Sequence, residues 1–153
     1  MSTTKPDFSD PASVVKAFIH QMHCWEAIAG SLSTSAQARY RPDNGSTMHP
    51  EEVRLSKVLR QIPPFIVDIF LTKRDRASTP GGSYSYPPSY DTSTETVTRV
   101  IPKTKSQVIV ETDRKTNYMG GLREYVVKKQ GDVWLIDSVS VTISDKKMKI
   151  PLV

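Results

Sequence analysis

The chain has 153 residues, 37% of them hydrophobic and 24% charged, with a formal net charge of +5. That length suits a single domain, residues 1–153, which at this size buries roughly 70% of the surface its unfolded chain exposes. Apolar runs such as Phe65-Ile66-Val67 are far short of the roughly 20 residues of a membrane span, and a single cysteine excludes an internal disulfide.

Residues 1–9 lack the apolar stretch of a secretory leader, so a cytoplasmic location is expected. The core is expected over about 10–144, with 1–9 and 145–153 peripheral. The first predicted element is a long helix over SDPASVVKAFIHQMHCWEAIAGSL. Asp10 suits its N-cap and Pro11 its first helical position. At about 100° per residue, Val14, Phe18, Met22, Trp25, Ala29 and Leu32 share one arc, with Val15 and Ile19 at its edge. The stretch STSAQARYRPDNGSTMHP that follows is turn-rich and reads as a loop.

A second helix is expected over 50–62, opened by Pro50 with Glu51 and Glu52 in its first turn. Leu55, Val58, Leu59 and Ile62 face inward and Arg54, Lys57 and Arg60 outward; Pro63-Pro64 ends it. Residues 64–74 read either as a helix started by Pro64 or, from their β-branched run, as a buried strand. The tyrosine-rich ASTPGGSYSYPPSYDTST is irregular. It is either a binding loop presenting Tyr84, Tyr86 and Tyr90 or a connector whose tyrosines lie on the domain.

The remainder is a predicted β-meander, TETVTRVI, QVIVETDR, LREYVVKK and DVWLIDSVSVTI, with a hairpin turn at Gln130-Gly131. In the last strand, alternation turns Val133, Leu135, Asp137, Val139 and Val141 to one face and Trp134 and Ile136 to the other. The basic tail DKKMKIPLV reads as peripheral. Helices followed by strands give an α+β domain, with N-terminal helices packed on one face of a curved antiparallel sheet.

The reactive residue types are concentrated in HQMHCWE, residues 20–26. On the helical wheel His20, His23 and Cys24 lie opposite the apolar arc. A zinc site needs a third and usually a fourth ligand, and His49 is placed in a loop, so no metal site is expected. Cys24 has no orienting carboxylate on its face, which argues against a nucleophile. Glu26, at the edge of the arc, reads either as a structural ion-pair partner for a basic residue of the sheet or as a solvated side chain. For acid–base chemistry the candidates are Asp68, Asp137, Glu124, Tyr125 and Tyr118. Asp137 has a plainer reading, bonded to backbone amides or a basic neighbour at a strand bend. The lysines and arginines are dispersed, without a phosphate loop or RNA-binding aromatic motif, so neither nucleic acid nor a cofactor is expected.

Four segments, FIHQMHCWE, PPSYD, VIVET and REYVVKKQGDVWLIDS, together resemble the nuclear transport factor 2-like immunity proteins of bacterial polymorphic toxin systems. The resemblance runs from about Val14 to Ser140, with Thr92 where that pattern carries proline. It implies a cystatin-like cone fold, a cytoplasmic location and a non-enzymatic function, binding and neutralising a cognate toxin domain. The same fold hosts isomerases, dehydratases and epoxide hydrolases, so an enzyme or ligand-binding protein using the cone cavity is the alternative. For a binder, the candidate contacts are Tyr84, Tyr86 and Tyr90, the cluster Lys73, Arg74 and Arg76, and the stripe Arg54, Lys57 and Arg60. A chain at +5 calls for an acidic partner surface or for binding away from a basic nuclease cleft, with no membrane partner. A homodimer through the sheet face is the remaining expectation for partners.

Overall fold

A computed structural model describes residues 5–74, 89–115 and 121–150. Tyr84, Tyr86, Arg76 and Tyr118 lie outside the described residues. In chain order the elements are α1 (Pro11–Tyr40), α2 (Pro50–Leu59), α3 (Pro63–Phe70), β1 (Glu95–Thr104), β2 (Gln107–Arg114), β3 (Gly121–Gln130), β4 (Val133–Ile143) and β5 (Lys146–Ile150).

Helix α1 starts as its sequence dictates. The Asp10 carboxylate accepts from the Ser13 amide at 3.2 Å, and Pro11 stands where a missing N–H costs nothing. Its end differs from expectation: the helix runs on to Tyr40 instead of stopping near Leu32. Ala36, Gln37, Ala38 and Arg39 are good helix formers, and only Pro42 forces the preceding Arg41 out of the helical region, at φ −136°. Val14, Val15, Phe18, Ile19, Met22, Trp25, Glu26, Ala29 and Gly30 are buried, but none of residues 31–40 is. Leu32 is therefore exposed, because it lies on the part of α1 that extends past the core.

Helix α2 is opened by a capping box. His49, expected in a loop, is its N-cap and accepts from the Glu51 amide at 3.1 Å, while Glu52 accepts from the His49 amide at 3.3 Å. The Glu52 carboxylate also takes the Arg41 Nε at 2.8 and 3.0 Å, which ties the end of α1 to the start of α2. Leu59 is buried and Leu55 packs against the core. Val58 and Ile62, expected inward on a helix over 50–62, are exposed: α2 packs chiefly on α1 and buries only a narrow stripe, and Ile62 lies past its end at Leu59. Residues 63–70 are helical, and the chain then turns extended: Leu71 bridges to Ile136 in parallel, and the Thr72 amide donates to the Ile136 carbonyl at 2.9 Å. Both readings of this segment thus hold in part, helix first and strand-like pairing after it.

The strands form one antiparallel sheet in the order β1-β2-β3-β4-β5. The β3–β4 turn is Gly131-Asp132, with Gly131 at φ +64°. The tail expected to be peripheral is the edge strand β5. Ser144 and Asp145, both at positive φ, make a two-residue turn that pairs it with β4. At the other edge, β1 carries register shifts at Thr98 and Lys103, and includes Pro102, which has no amide hydrogen. Residues 5–9 are not all peripheral either: the Phe8 carbonyl accepts from the Trp134 amide at 2.8 Å, and the Phe8 ring packs at 5.9 Å on Phe70.

One deviation in β4 decides what faces the helices. Val127 pairs with Ile136 but Val126 pairs with Ser138, so Asp137 is an extra residue, a β-bulge. One inserted residue reverses the alternation. Ile136, Val139 and Val141 consequently share the inward side with their partners Val127, Tyr125 and Arg123, while Val133 and Leu135 turn to the opposite face. The face expected from unbroken alternation is corrected by that bulge. The core forms where α1 and α3 meet β2, β3 and β4, around Phe18, Met22, Trp25, Phe70, Val110, Tyr125, Val127 and Val139. Each such large side chain contributes about 1.5–3 kcal/mol by burial.

Candidate functional site

Alternation puts Val108, Val110, Thr112 and Arg114 of β2 on the inward face, together with Arg123, Tyr125 and Val127 of β3. Two arginines are thereby carried into the interior at one end of the sheet, where β1 supplies Glu95 directly opposite Arg114. The Glu95 side chain has 0% exposure. Its Oε1 accepts from Arg123 Nη1 at 2.9 Å and lies 3.7 Å from Arg114 Nε. Its Oε2 accepts from Thr112 Oγ1 at 2.9 Å and from the Tyr125 hydroxyl at 2.6 Å.

A second carboxylate ties this cluster to α1. Glu26, 2% exposed, accepts from the Ser89 hydroxyl at 3.1 Å, the Ser89 amide at 3.3 Å and the Tyr90 amide at 3.2 Å. The Ser89 carbonyl in turn takes Arg123 Nη2 at 3.2 Å, and the Arg123 guanidinium lies 4.6 Å above the Tyr90 ring. His23 closes the circuit. Its Nδ1 is 2.9 Å from the Tyr90 carbonyl, and because a carbonyl only accepts, Nδ1 is the donor. His23 is thus half-buried and bonded, a correction to the wheel, which assumed that only the sheet would cover α1. The segment 89–91 covers a second side of the helix.

The electrostatics follow from two carboxylates and two guanidinium groups buried in one interior. Burial pushes the Tyr125 phenol well above its ordinary value, and the neighbouring Glu95 charge pushes the same way. Burial likewise raises Tyr90 to about 12, with Arg123 opposing and Glu95 reinforcing. For Arg114, burial and then the nearby Arg123 charge lower the pKa. For Arg123, burial works against the charge but Tyr125 and Glu95 outweigh it, and the net direction is upward. Next to the cluster, between α1 and β1, is a cleft of about 390 Å³ bordered by Lys16, Ile19, Thr92, Glu95, Thr96 and Val97. Glu95 borders it as a residue, yet its carboxylate is sealed behind its own hydrogen-bond partners.

The residues expected from sequence to do acid–base work are dispersed. Asp68 is exposed on α3. Glu124 points to the outer face of the sheet and pairs with Lys147. Asp137 sits in the bulge, where Thr72 donates to it at 2.7 Å and Arg74 and Lys128 pair with it at 3.1 and 3.3 Å. Burial alone would raise its pKa; the Thr72 hydrogen bond and the Lys128 and Arg74 charges hold it below the ordinary carboxylate value. This is the plainer reading, a strand bend fixed by basic neighbours. Tyr125 alone is interior, and its partner is Glu95, which the sequence reading missed together with Arg114 and Arg123. The signal was present: strand parity places both arginines on the side of the valines, and two inward arginines call for an inward carboxylate.

Among the contact candidates, Tyr90 is corrected. It is 4% exposed, with its ring edge-on to Phe18 at 5.5 Å, so it belongs to the core. Arg54, Lys57 and Arg60 are exposed along α2, as are Lys73 and Arg74, the latter held to Asp137. The two basic groups stand on different supports, α2 against α1 and residues 73–74 against β4. His20 is exposed and its Nε2 lies 3.7 Å from the Cys24 sulfur. Among the described residues no three His, Cys, Asp or Glu side chains are grouped to hold a metal ion, and no helix is long and apolar enough to cross a membrane. The outer sheet face carries the Arg99–Glu111 and Lys147–Glu124 pairs beside Ile109 and Val126. Compared with known proteins, the chain matches no family model, no curated protein and no solved structure.

Proposed function

We propose that this chain is a protein-binding module, and specifically a cytoplasmic immunity protein that neutralises a cognate bacterial toxin domain by covering part of its surface. In this reading the helices and sheet form the cone of the nuclear transport factor 2-like fold. The class comes from the resemblance of FIHQMHCWE, PPSYD, VIVET and REYVVKKQGDVWLIDS to that immunity branch. The observation that carries the non-catalytic part is the saturation of Glu95. A cone-fold enzyme needs an interior carboxylate free to move a proton. Here each Glu95 oxygen already accepts a hydrogen bond and the side chain has no exposed area. Three hydrogen bonds occupy most of the roughly four lone-pair positions a base would use.

What remains at the surface suits a partner. The Arg54, Lys57 and Arg60 stripe and the overall charge of +5 favour an acidic protein face. The test is co-expression with the toxin domain encoded beside this chain's gene. A complex that survives size-exclusion chromatography, relief of toxicity, and an association rate that falls steeply with salt are the expected results. Absence of a complex at micromolar concentrations refutes the immunity reading, and a rate flat in salt refutes its charge component. The alternative, a small-molecule enzyme or ligand-binding protein, rests on the cleft of about 390 Å³ beside Lys16 and Val97. Saturable binding of a small apolar ligand that Val97→Trp abolishes would favour it.

A further inference from the structure

Apolar residues repeat at helical spacing on the outside of the helix pair. On α1 these are Cys24 and Ile28, with the polar Gln21 a turn earlier; on α3 they are Phe65 and Ile69, preceded by Ile62. The two stripes face each other across a groove of about 470 Å³. Phe65 is 67% exposed, Ile28 55% and Ile69 51%. Single exposed apolar residues are ordinary, but several converging on one concavity mark an interaction site. The groove is floored by core residues, since Trp25 and Phe70 are buried and the Trp25 indole donates to the Leu59 carbonyl at 3.3 Å. Its shape is therefore set by the packing of the domain and does not need a partner to form.

We propose that this groove docks an acidic amphipathic helix of a partner protein, its apolar face lying between α1 and α3. The geometry argues for a helix: paired stripes at spacings of three and four residues accept a third helix presenting the same spacing. Charge argues for acidic flanks. Lys5 is the one charged residue among those described that line the groove, the exposed Asp7 near it not being part of the lining, and the whole chain carries +5. Asp68, the nearest acid in sequence on α3, is exposed but does not line the groove. Charge also argues against a second copy as occupant, because two chains at +5 repel each other. The proposal rests on the protein-binding reading above and deepens it, moving the principal contact from the α2 stripe to the α1–α3 face.

The test uses the full chain and a labelled synthetic helix of about 18 residues, long enough to hold its shape once docked. Leucines repeat at the first, fourth, fifth and eighth positions of its apolar face and glutamates fill the polar face. Expected are saturable binding by fluorescence anisotropy, protection of Cys24, the only cysteine, from alkylation, and a loss of affinity of about tenfold or more in Phe65→Asp and in Ile69→Asp. Both substituted residues are exposed, and an unchanged circular dichroism melt verifies that the variants fold. Equal binding of a lysine-faced or scrambled peptide, or undiminished binding by the two variants, overturns the proposal. So does a dimer of the unmodified chain that Phe65→Asp dissociates, or co-sedimentation with anionic vesicles that the same variant abolishes. The toxin reading fails separately: if the toxin domain co-purifies equally with the unmodified chain and with Phe65→Asp, the groove assignment is wrong and the immunity reading stands. If the peptide binds as expected but no toxin domain co-purifies, the reverse holds.

Discussion

Replacing Glu95 by glutamine removes one negative charge from a site where Arg114 and Arg123 are 9% and 4% exposed. The amide has nearly the same shape, and its oxygen can still face Arg123 while its NH₂ group meets the Thr112 and Tyr125 hydroxyls, which are able to accept. The packing and most hydrogen bonds therefore survive, and what is lost is the charge that neutralises two buried guanidinium groups. Breaking a buried ion pair from one side costs about 3–5 kcal/mol. Because the amide oxygen can still accept from Arg123, the lower end applies, about 3 kcal/mol, a substantial part of a typical stability of about 5–15 kcal/mol. For a chain of this length that corresponds to a fall in Tm of about 6–12 °C. Urea unfolding followed by tryptophan fluorescence measures it, with the slope checked for constancy. Tyr125→Phe gives a second, sharper reading. In the unmodified protein it removes a hydrogen bond to a charged acceptor, worth about 1.5–3 kcal/mol, and in the Glu95→Gln background it should cost at least about 1 kcal/mol less. A loss below about 1 kcal/mol for Glu95→Gln, or equal costs for Tyr125→Phe in both backgrounds, would refute the account of Glu95 as the anchor of the interior.

Tyr90 and Tyr125 should stay protonated above pH about 10, where an ordinary phenol ionises. Their raised pKa values contribute stability that is full below pH about 10 and is lost as pH rises through about 12 for Tyr90; a change in absorbance at 295 nm near pH 10 that Tyr90→Phe or Tyr125→Phe diminishes would contradict this. At the acid end, Asp137, Asp91 and Glu52 are each held below the ordinary carboxylate value, Asp91 chiefly by Ser93 and Glu52 chiefly by Arg41. Their stabilisation is present above pH about 4 and lost as pH falls through the lower folded values, so the urea midpoint should drop more gently with acid in Asp137→Asn than in the unmodified chain. Reversing Arg54, Lys57 and Arg60 to glutamate should slow association with an acidic partner by about tenfold or more at low salt and leave folding stability within about 0.5 kcal/mol. Stopped-flow mixing tests the first, and an unchanged rate removes the α2 stripe from the encounter.

The order of elements was legible because each carries a local signal. Asp10-Pro11 starts one helix, Pro50 with two glutamates starts the next, and alternating valines mark the strands. The features that position the interior cluster are not local. The bulge at Asp137 leaves the written alternation of β4 intact and shows only in its pairing with β3. Helix α1 was read short because Ser31–Ser35 looks like a turn, yet nothing forbids the helix until Pro42. His23 was read as surface because a wheel knows one covering layer, and segment 89–91 adds another. Tyr90 carried the composition of a binding loop while its neighbour-to-be, Phe18, lay on a different element. The Glu95 cluster falls in between. Arg114 and Arg123 sit at inward parity in the sequence itself, and only the identity of the carboxylate they share requires the three-dimensional register.

The two ends of the sheet have a further consequence. An unpaired strand is a template onto which any extended chain can zip, and a five-stranded open sheet has two. On one side, Lys146, Lys147 and Lys149 crowd β5 with like charge; on the other, Pro102 and the register shifts of β1 interrupt the comb of amides a newcomer would need. The flank of β4 that β5 leaves open is occupied by Leu71-Thr72 and by Phe8. Strand-by-strand growth into fibrils, and recruitment of a partner by lengthening the sheet, are both disfavoured by this arrangement. Any adhesive surface is thereby confined to faces where side chains discriminate, because like charge, proline and register shifts blunt the edge backbone, which would accept anything.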